Sequence, residues 1–168
     1  QSGVSSLPRL VAAAQGYGAI SFVPDADGVV RRLPLLMRYG NTLLPSLDAE
    51  ALRVSQGALS ITTRVVPGVG LEGLRVGAVN VPTTPQGEVW MHYTAPVPAR
   101  YVPAWKVLAG EVPDDDLAGK ILLIGSSAQG LMDLRFSPLG TVVPGVEIHA
   151  QLLEQVLRGG GLSRPTWA

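Results

Sequence analysis

Six side chains that could do chemistry lie close together between residues 119 and 150. Two hydroxyls, a carboxylate and a guanidinium follow a short apolar run, and a second carboxylate and an imidazole follow a Pro-Gly pair. The six residues are Ser126, Ser127, Asp133, Arg135, Glu147 and His149. Because α/β proteins place their sites where buried strands end, this group is a candidate ligand-binding site. The same residues could instead form a structural clasp.

The elements that must position these side chains are a strand and a helix. The run 121–124 is continuously apolar, which predicts an interior strand buried on both faces. The pattern over 145–158 predicts a helix, and Pro144-Gly145 would return its N-terminus to the edge where the strand ends. We therefore expect four side chains to form one hydrogen-bonded cluster there. They are Asp133, Arg135, Glu147 and His149.

The 145–158 helix separates into two faces at 100° per residue. Its apolar face carries Val146, Ala150, Leu152, Leu153, Val156 and Leu157. Its polar face carries Glu147, Gln151, Glu154, Gln155 and Arg158. His149 lies on the apolar face, where an imidazole needs a hydrogen-bond partner. It is either a buried histidine bonded to a carbonyl or carboxylate, or a ligand contact or pH-responsive group.

The loop that begins at Gly125 suggests two enzymatic motifs, and neither is complete. A phosphate-binding loop requires Gly-Lys-Ser/Thr after its second glycine, whereas Leu131 follows Gly130. A hydrolase elbow, Gly-x-Ser-x-Gly, would need glycine at the position of Gln129. Ser127, Asp133 and His149 follow the hydrolase order, but within 22 residues, which leaves a small serine hydrolase as a remote alternative. We expect no catalysis by this domain and no cofactor.

A second group of charged residues surrounds Asp25-Ala26-Asp27-Gly28. This tetrapeptide is typical of a hairpin turn, and it also opens calcium-binding loops, whose distal ligands are missing here. Arg31-Arg32 follows, and on a strand the two side chains would point to opposite faces, so only one could reach a given site. Asp25, Asp27 and Arg32 are secondary candidates for a ligand contact.

Composition narrows the functional classes. The 168 residues contain 13 Lys+Arg and 13 Asp+Glu, and mean hydropathy is +0.28, which predicts one folded domain rather than a disordered or nucleic-acid-binding chain. There are two histidines and no cysteine, so we expect no metal site. No run reaches the roughly 18 apolar residues that span a bilayer.

The remaining pattern alternates short strands and helices. We expect helices over 4–15, 46–56, 103–108 and 145–158, and strands over 20–22, 29–38, 61–66, 71–76, 79–81, 88–93 and 121–124. The fold class is therefore α/β, a single domain with a mixed β-sheet flanked by helices. Neither end is typical of a whole protein, so we expect a piece of a longer chain in which 160–168 leads toward a membrane segment.

Several motifs together resemble the second type of CHASE domain, the cyclase- and histidine-kinase-associated sensory extracellular domain. The resemblance covers about 17–159. Its motifs are Gly18-Ala19-Ile20-Ser21-Phe22, Pro24-Asp25-x-Asp27-Gly28-Val29-x-Arg31-Arg32-x-Pro34-Leu35, Pro45-Ser46-Leu47 with Glu50, Val107-Leu108-x-Gly110, Leu117-x-Gly119-Lys120, Ile124-Gly125, Gly130-Leu131-x-Asp133-x-Arg135, Ser137-Pro138-Leu139 and Pro144-Gly145-Val146-Glu147-Ile148-His149-Ala150. His92-Tyr93 stands where the family often has Asn-Tyr, and the family's N-terminal part is missing.

The resemblance implies a sensor on the periplasmic or extracellular face of a cell membrane. It implies a membrane-anchored parent protein, most often an adenylate or guanylate cyclase, with a histidine kinase or a serine/threonine kinase as alternatives. The expected signal is an unknown small molecule or ion, and the expected assembly is a homodimer in the full receptor. A purely structural dimerisation domain is the other interpretation.

Overall fold

The computed structural model describes residues 4–126 and 133–162. Its five α-helices are α1 (Pro8–Ala13), α2 (Leu47–Ser55), α3 (Ala104–Leu108), α4 (Asp114–Leu117) and α5 (Gly145–Leu157). Its nine strands are β1 (Arg32–Pro34), β2 (Leu36–Tyr39), β3 (Thr42–Pro45), β4 (Ile61–Val66), β5 (Gly70–Val76), β6 (Val79–Pro82), β7 (Glu88–Trp90), β8 (Leu134–Phe136) and β9 (Val142–Pro144). The predicted single-domain α/β class is confirmed.

The strands form several small antiparallel sheets. β4, β5 and β6 make a three-stranded meander, while β1 pairs with β7, β2 with β3, and β8 with β9. Among the described residues, parallel pairing is limited to isolated bridges, Ala19 with Ser46 and Val29 with Phe136. In place of the expected mixed sheet there are several short, separate antiparallel ladders.

One core joins α2, α5 and these sheets. Leu52 of α2 and Leu152 of α5 are each almost completely buried, and residues from several strands pack around them. The buried cluster comprises Val30, Leu33, Leu35, Leu52, Leu74, Val76, Val81, Val89, Met91, Tyr93, Val143, Ile148, Leu152, Leu153 and Val156. The burial of this apolar surface is the main stabilising term of the fold.

The two long helices have the boundaries that their sequences predict. α2 starts after Ser46, whose Oγ accepts a hydrogen bond from the Ala49 amide at 3.2 Å, and Gly57 follows the helix with φ +60°. α5 starts directly after Pro144 and is followed by Gly159 with φ +70°. Capping and turn chemistry therefore set both boundaries.

The prediction of an interior strand over 121–124 is wrong. Among the residues that the structure describes, 121–124 belong to no strand. Ile121 and Leu123 pack against the core, whereas Leu122 is 55% exposed and Ile124 is 97% exposed. A strand requires a hydrogen-bonded neighbour, which an apolar run alone cannot supply.

The predicted hairpin around Asp25 is also smaller than expected. The 20–22 segment is not a strand, and the return strand is divided into β1 and β2. The turn itself is present, because the Gly28 amide bonds the Asp25 carbonyl at 2.8 Å and the Asp25 amide bonds the Val29 carbonyl at 3.0 Å. Pro34 ends β1, in keeping with the missing amide hydrogen of proline.

Candidate functional site

His149 lies in the core and pairs with a carboxylate of α2. Its Nδ1 is 2.9 Å from Oδ2 of Asp48, and the two residues are 4% and 1% exposed. In the tautomer that carries its proton on Nδ1, the imidazole donates this hydrogen bond to the carboxylate. The sequence alternative of a buried histidine bonded to a carboxylate is therefore the one found.

The Asp48–His149 pair is incompletely satisfied. Oδ1 of Asp48 and Nε2 of His149 are buried and have no hydrogen-bond partner within the described ranges. A buried polar atom that lacks a partner costs about 1–3 kcal/mol. The pair joins α2 to α5, and its two buried atoms without partners make this contact costly in free energy.

An aromatic ring connects His149 to the β8 arginine. The Phe22 ring centroid is 4.9 Å from that of His149, and the Arg135 guanidinium lies 5.2 Å from the centre of the same ring. A guanidinium over a ring face is attracted by the ring quadrupole. Phe22 is therefore a neighbour that Arg135 and His149 share.

Asp133 anchors the beginning of α5. Its carbonyl accepts the Gly145 amide at 2.8 Å, and its carboxylate lies against Gly145 so closely that a β-carbon there would collide with it. The carboxylate is also 3.6 Å from the Arg135 guanidinium. A negative charge next to a helix N-terminus is favourable. Glycine at position 145 is explained by this close approach.

Glu147 lies on a different side of α5 and has its own partners. It is 3% exposed, it accepts a hydrogen bond from Nε2 of Gln151 at 2.8 Å, and it is 3.6 Å from the Arg100 guanidinium. Burial, with a contribution from the Glu147 carboxylate, raises the pKa of Tyr101 to about 12.

The prediction of one hydrogen-bonded cluster is wrong. Asp133 pairs with Arg135, His149 with Asp48, and Glu147 with Gln151 and Arg100. Residues two apart on a helix face different directions, so Glu147 and His149 reach different neighbours. Since Asp133 and His149 have these separate partners, the remote hydrolase alternative loses its Asp–His link.

The two serines of the candidate site follow Gly125, which lies against α5. A β-carbon on Gly125 would collide with the Val146 side chain, so the backbone there touches the first turn of the helix. Ser126 is exposed next to this contact. Ser127 lies outside the described residues. The segment that follows 121–124 therefore does approach the beginning of α5, as the Pro144-Gly145 return predicts, although 121–124 is not a strand.

The secondary residues form an ionic network in the turn. The Asp25 carboxylate lies 2.8 Å from the Arg31 guanidinium and 2.6 Å from the Arg32 guanidinium. The Asp27 carboxylate lies 2.7 Å from the Arg31 guanidinium. The expectation that only one arginine could reach a given site is wrong, because β1 begins at Arg32 and leaves Arg31 in the turn. Both carboxylates are committed to arginines, which favours the hairpin-turn interpretation over a calcium loop.

This network changes the proton affinity of its members. Hydrogen bonds from Arg31, together with the Val29 amide, lower the pKa of Asp27 from 3.8 to about 2. Hydrogen bonds from Arg31 and then Arg32 lower the pKa of Asp25. Arg32 additionally contacts Glu88 at 3.1 Å and lies 5.1 Å from the Trp90 ring centre. The turn is thereby fixed to β7.

Sequence reasoning missed Asp48, Phe22 and Arg100 as partners of the candidate residues. Asp48 lies in the first turn of α2, where a negative charge is favourable for the helix dipole alone. Its spacing carried the signal, since Asp48 lies four residues before Leu52 and therefore on the buried face of α2. Phe22 and Arg100 are distant in the sequence from their contacts, and no local pattern links them.

The comparisons with known proteins give one family. Its model, described as the CHASE2 domain, matches residues 2–168, a wider range than the 17–159 that the motifs covered. Searches of curated proteins and of solved structures returned no significant match. Within the described part of the chain, the helices are too short or too polar to cross a membrane. The chain belongs to the CHASE2 domain family, a family of extracytoplasmic sensory domains of signalling receptors.

Proposed function

We propose that this chain is the signal-sensing domain of a membrane receptor whose cytoplasmic output is an adenylate or guanylate cyclase. Membership of an extracytoplasmic sensory family is the observation that carries the proposal. A histidine kinase or a serine/threonine kinase is the alternative output. Family membership assigns this domain to sensing rather than to catalysis, and the output must be assigned by experiment.

The output is tested on the purified full-length receptor. Incubation with ATP and GTP should yield cyclic AMP or cyclic GMP, measured by chromatography. Phosphate incorporation into the receptor without cyclic nucleotide would instead assign a kinase output. The isolated 168-residue chain is the negative control, and it should give neither product.

We place the sensing region at the beginning of α5, where a structural clasp and a ligand contact can overlap. The Asp48–His149 pair is buried and supports the clasp, whereas the side chains of Arg135 and Asp133 are 30% and 41% exposed. A small molecule or ion from solution would meet these two exposed side chains. Ser126 is a further exposed candidate, and Phe22, a neighbour of both Arg135 and His149, connects the exposed pair to the buried imidazole.

A thermal-shift screen of metabolites and ions tests this placement. A compound that binds only the folded chain raises its stability, by about 2.7 kcal/mol at a hundredfold excess over the dissociation constant. For any stabilising compound, Arg135→Gln should reduce the shift. Arg38→Gln on β2 is the matched control, since Arg38 is exposed and lies in the separate β2–β3 sheet rather than in the β8–β9 sheet of Arg135. Equal shifts in both variants would place the site elsewhere.

A structural role in assembly is the second candidate, and an apolar surface favours it. All five residues of α3 are exposed, including Trp105 at 59% and Leu108 at 88%. Exposed apolar surface of this kind marks interaction sites. We expect a homodimer in the full receptor. Light scattering of the receptor in detergent should give a dimer mass, and Leu108→Glu should reduce the dimer fraction if α3 takes part.

A further inference from the structure

The buried polar face of α5 bonds one edge of a stretch of backbone whose other edge pairs with β1 at Trp90 and bonds the Arg31 carbonyl through the Met91 amide. Glu147, Gln151 and Gln155 recur every four residues on one side of the helix, and all three are buried. On the helical wheel these residues belong to the polar face, which in an amphipathic helix usually meets solvent. The structure instead packs it against residues 90–101, which continue from β7 into the short 3₁₀ turn at 98–100. We call residues 90–101 the strap.

Two glutamine side chains replace a neighbouring strand along the strap. Gln155 accepts the His92 amide at 2.7 Å and donates to the Trp90 carbonyl at 2.9 Å. Gln151 accepts the Thr94 amide at 2.9 Å and donates to the Thr94 carbonyl at 3.3 Å. Each carboxamide thus offers one acceptor and one donor, as a backbone peptide group does.

The spacing of residues along α5 and along the strap allows the two glutamine side chains to take the place of a strand. Four helical residues advance about 6 Å, and two extended residues advance about 6.6 Å. The positions Gln151 and Gln155 therefore align with alternate strap residues, in the antiparallel sense. This match fixes the register of α5 against the strap.

Ionic contacts hold the far end of the strap to the same helix. Arg100 pairs with Glu154 and lies 3.6 Å from Glu147, and its NH1 also donates to Oγ1 of Thr94 at 3.3 Å. These contacts of residues 94–101 join the strap to α5 or join two residues of the strap to each other.

We propose that α5 and the strap form one cooperative unit, so that any displacement of α5 is carried to the exposed segment that follows. Beyond Arg100, the side chains of Tyr101, Val102 and Trp105 are between 45% and 59% exposed. The strap therefore connects a core helix to an apolar surface. Because the beginning of α5 also contacts Asp133 and Asp48, the unit links two distant parts of the domain through one helix.

Amide hydrogen exchange of the 168-residue chain, resolved by NMR, tests the proposal. In one cooperative unit, the amides of His92 and Thr94 open together with those of Leu152 and Leu153. Their protection should then converge as urea is added. Exchange of His92 and Thr94 at different and much lower protection than α5 throughout the titration would overturn the proposal without any variant.

Gln155→Met provides the second arm, because methionine keeps the length of the side chain and removes both hydrogen bonds. Loss of net hydrogen bonds in a shared unit should accelerate exchange roughly tenfold at Thr94, which keeps its own glutamine, as well as at His92. Acceleration confined to His92 would show independent contacts and would overturn the proposal. Gln56→Met is the control: Gln56 bonds the Val76 carbonyl and the Ala78 amide, each at 3.0 Å, and should leave Thr94 unchanged.

Discussion

At the scale of single residues, several side chains of types that usually lie on the surface are buried, and each has a polar partner. Asp48, Glu147 and His149 are each less than 5% exposed, and each has a charged or polar neighbour. A buried charge without a partner would be prohibitively costly, so these pairs constrain how α2 and α5 can pack. Their removal should therefore cost more than the loss of a surface hydrogen bond.

The Asp48–His149 pair should show energetic coupling. His149→Ala leaves the Asp48 carboxylate without its donor and should lower the free energy of unfolding by about 1–3 kcal/mol. Urea unfolding of His149→Ala, Asp48→Ala and the double variant measures the coupling, and the double variant should lose less than the sum of the two single losses. Strict additivity would mean that the two side chains do not interact.

Acid should disrupt the Asp25 turn in a defined range. The folded pKa of Asp27, about 2, is below its ordinary value of 3.8, so the unfolded state binds more protons between these values. The contribution of this residue is complete above about pH 4 and is lost as the pH falls through about 2. NMR titration of the side-chain carboxyl carbon should place the Asp27 midpoint near pH 2.

The matched variants separate the two arginines of the turn. Arg31→Gln should raise the Asp27 midpoint toward 3.8, because Arg31 makes both guanidinium contacts to this carboxylate. Arg32→Gln should leave it in place, since Arg32 contacts Asp25 and Glu88 instead. A wild-type midpoint near 3.8 would contradict the ion pairs in the turn.

At the scale of the elements, α5 is the central piece, because it is buried on its apolar side and on much of its polar side. Leu153 is 4% exposed, whereas Leu157, on the same predicted apolar face, is 55% exposed. Leu153→Ala should cost about 2–5 kcal/mol of unfolding free energy. Leu157→Ala is the control and should cost far less; similar losses in urea unfolding would refute the packing of this helix.

The start of α5 should be intolerant of a side chain at position 145. A β-carbon there meets the Asp133 carboxylate, so Gly145→Ala should destabilise the chain by about 1–3 kcal/mol through overpacking. Asp133→Ala in the same chain should restore part of this loss by removing the obstacle. Thermal unfolding of the two single variants and the double variant measures the rescue, and a harmless Gly145→Ala would remove the proposed contact.

Local signals predicted the elements better than their partners. Ser46 and Gly57 mark α2, and Pro144 and Gly159 mark α5, because caps and turns depend on nearby residues. The 121–124 run failed as a strand because pairing is not local. The helical wheel placed Gln151 and Gln155 on the polar face of α5 but could not show that this face bonds the strap backbone, because that contact is not local.

At the scale of the whole molecule, the chain has one buried core, and the short helices α3 and α4 contribute little to it. The core joins α2 and α5 with strands β1, β5, β6, β7 and β9, whereas all residues of α3 and most of α4 are exposed. Exposed helices of this kind suit a domain within a larger receptor, because they can contact other parts of that receptor. The family assignment, which places the chain in a sensory role, agrees with this reading.

The central claim is that this domain provides the receptor with its extracytoplasmic signal. The most direct measurement is the cytoplasmic output of the full-length receptor in cells, with the domain present or excised, across a panel of external metabolites and ions. We predict that the output of the intact receptor changes with at least one condition, and that excision abolishes this change while basal output persists. An output that responds identically with and without the domain in every condition would contradict the claim.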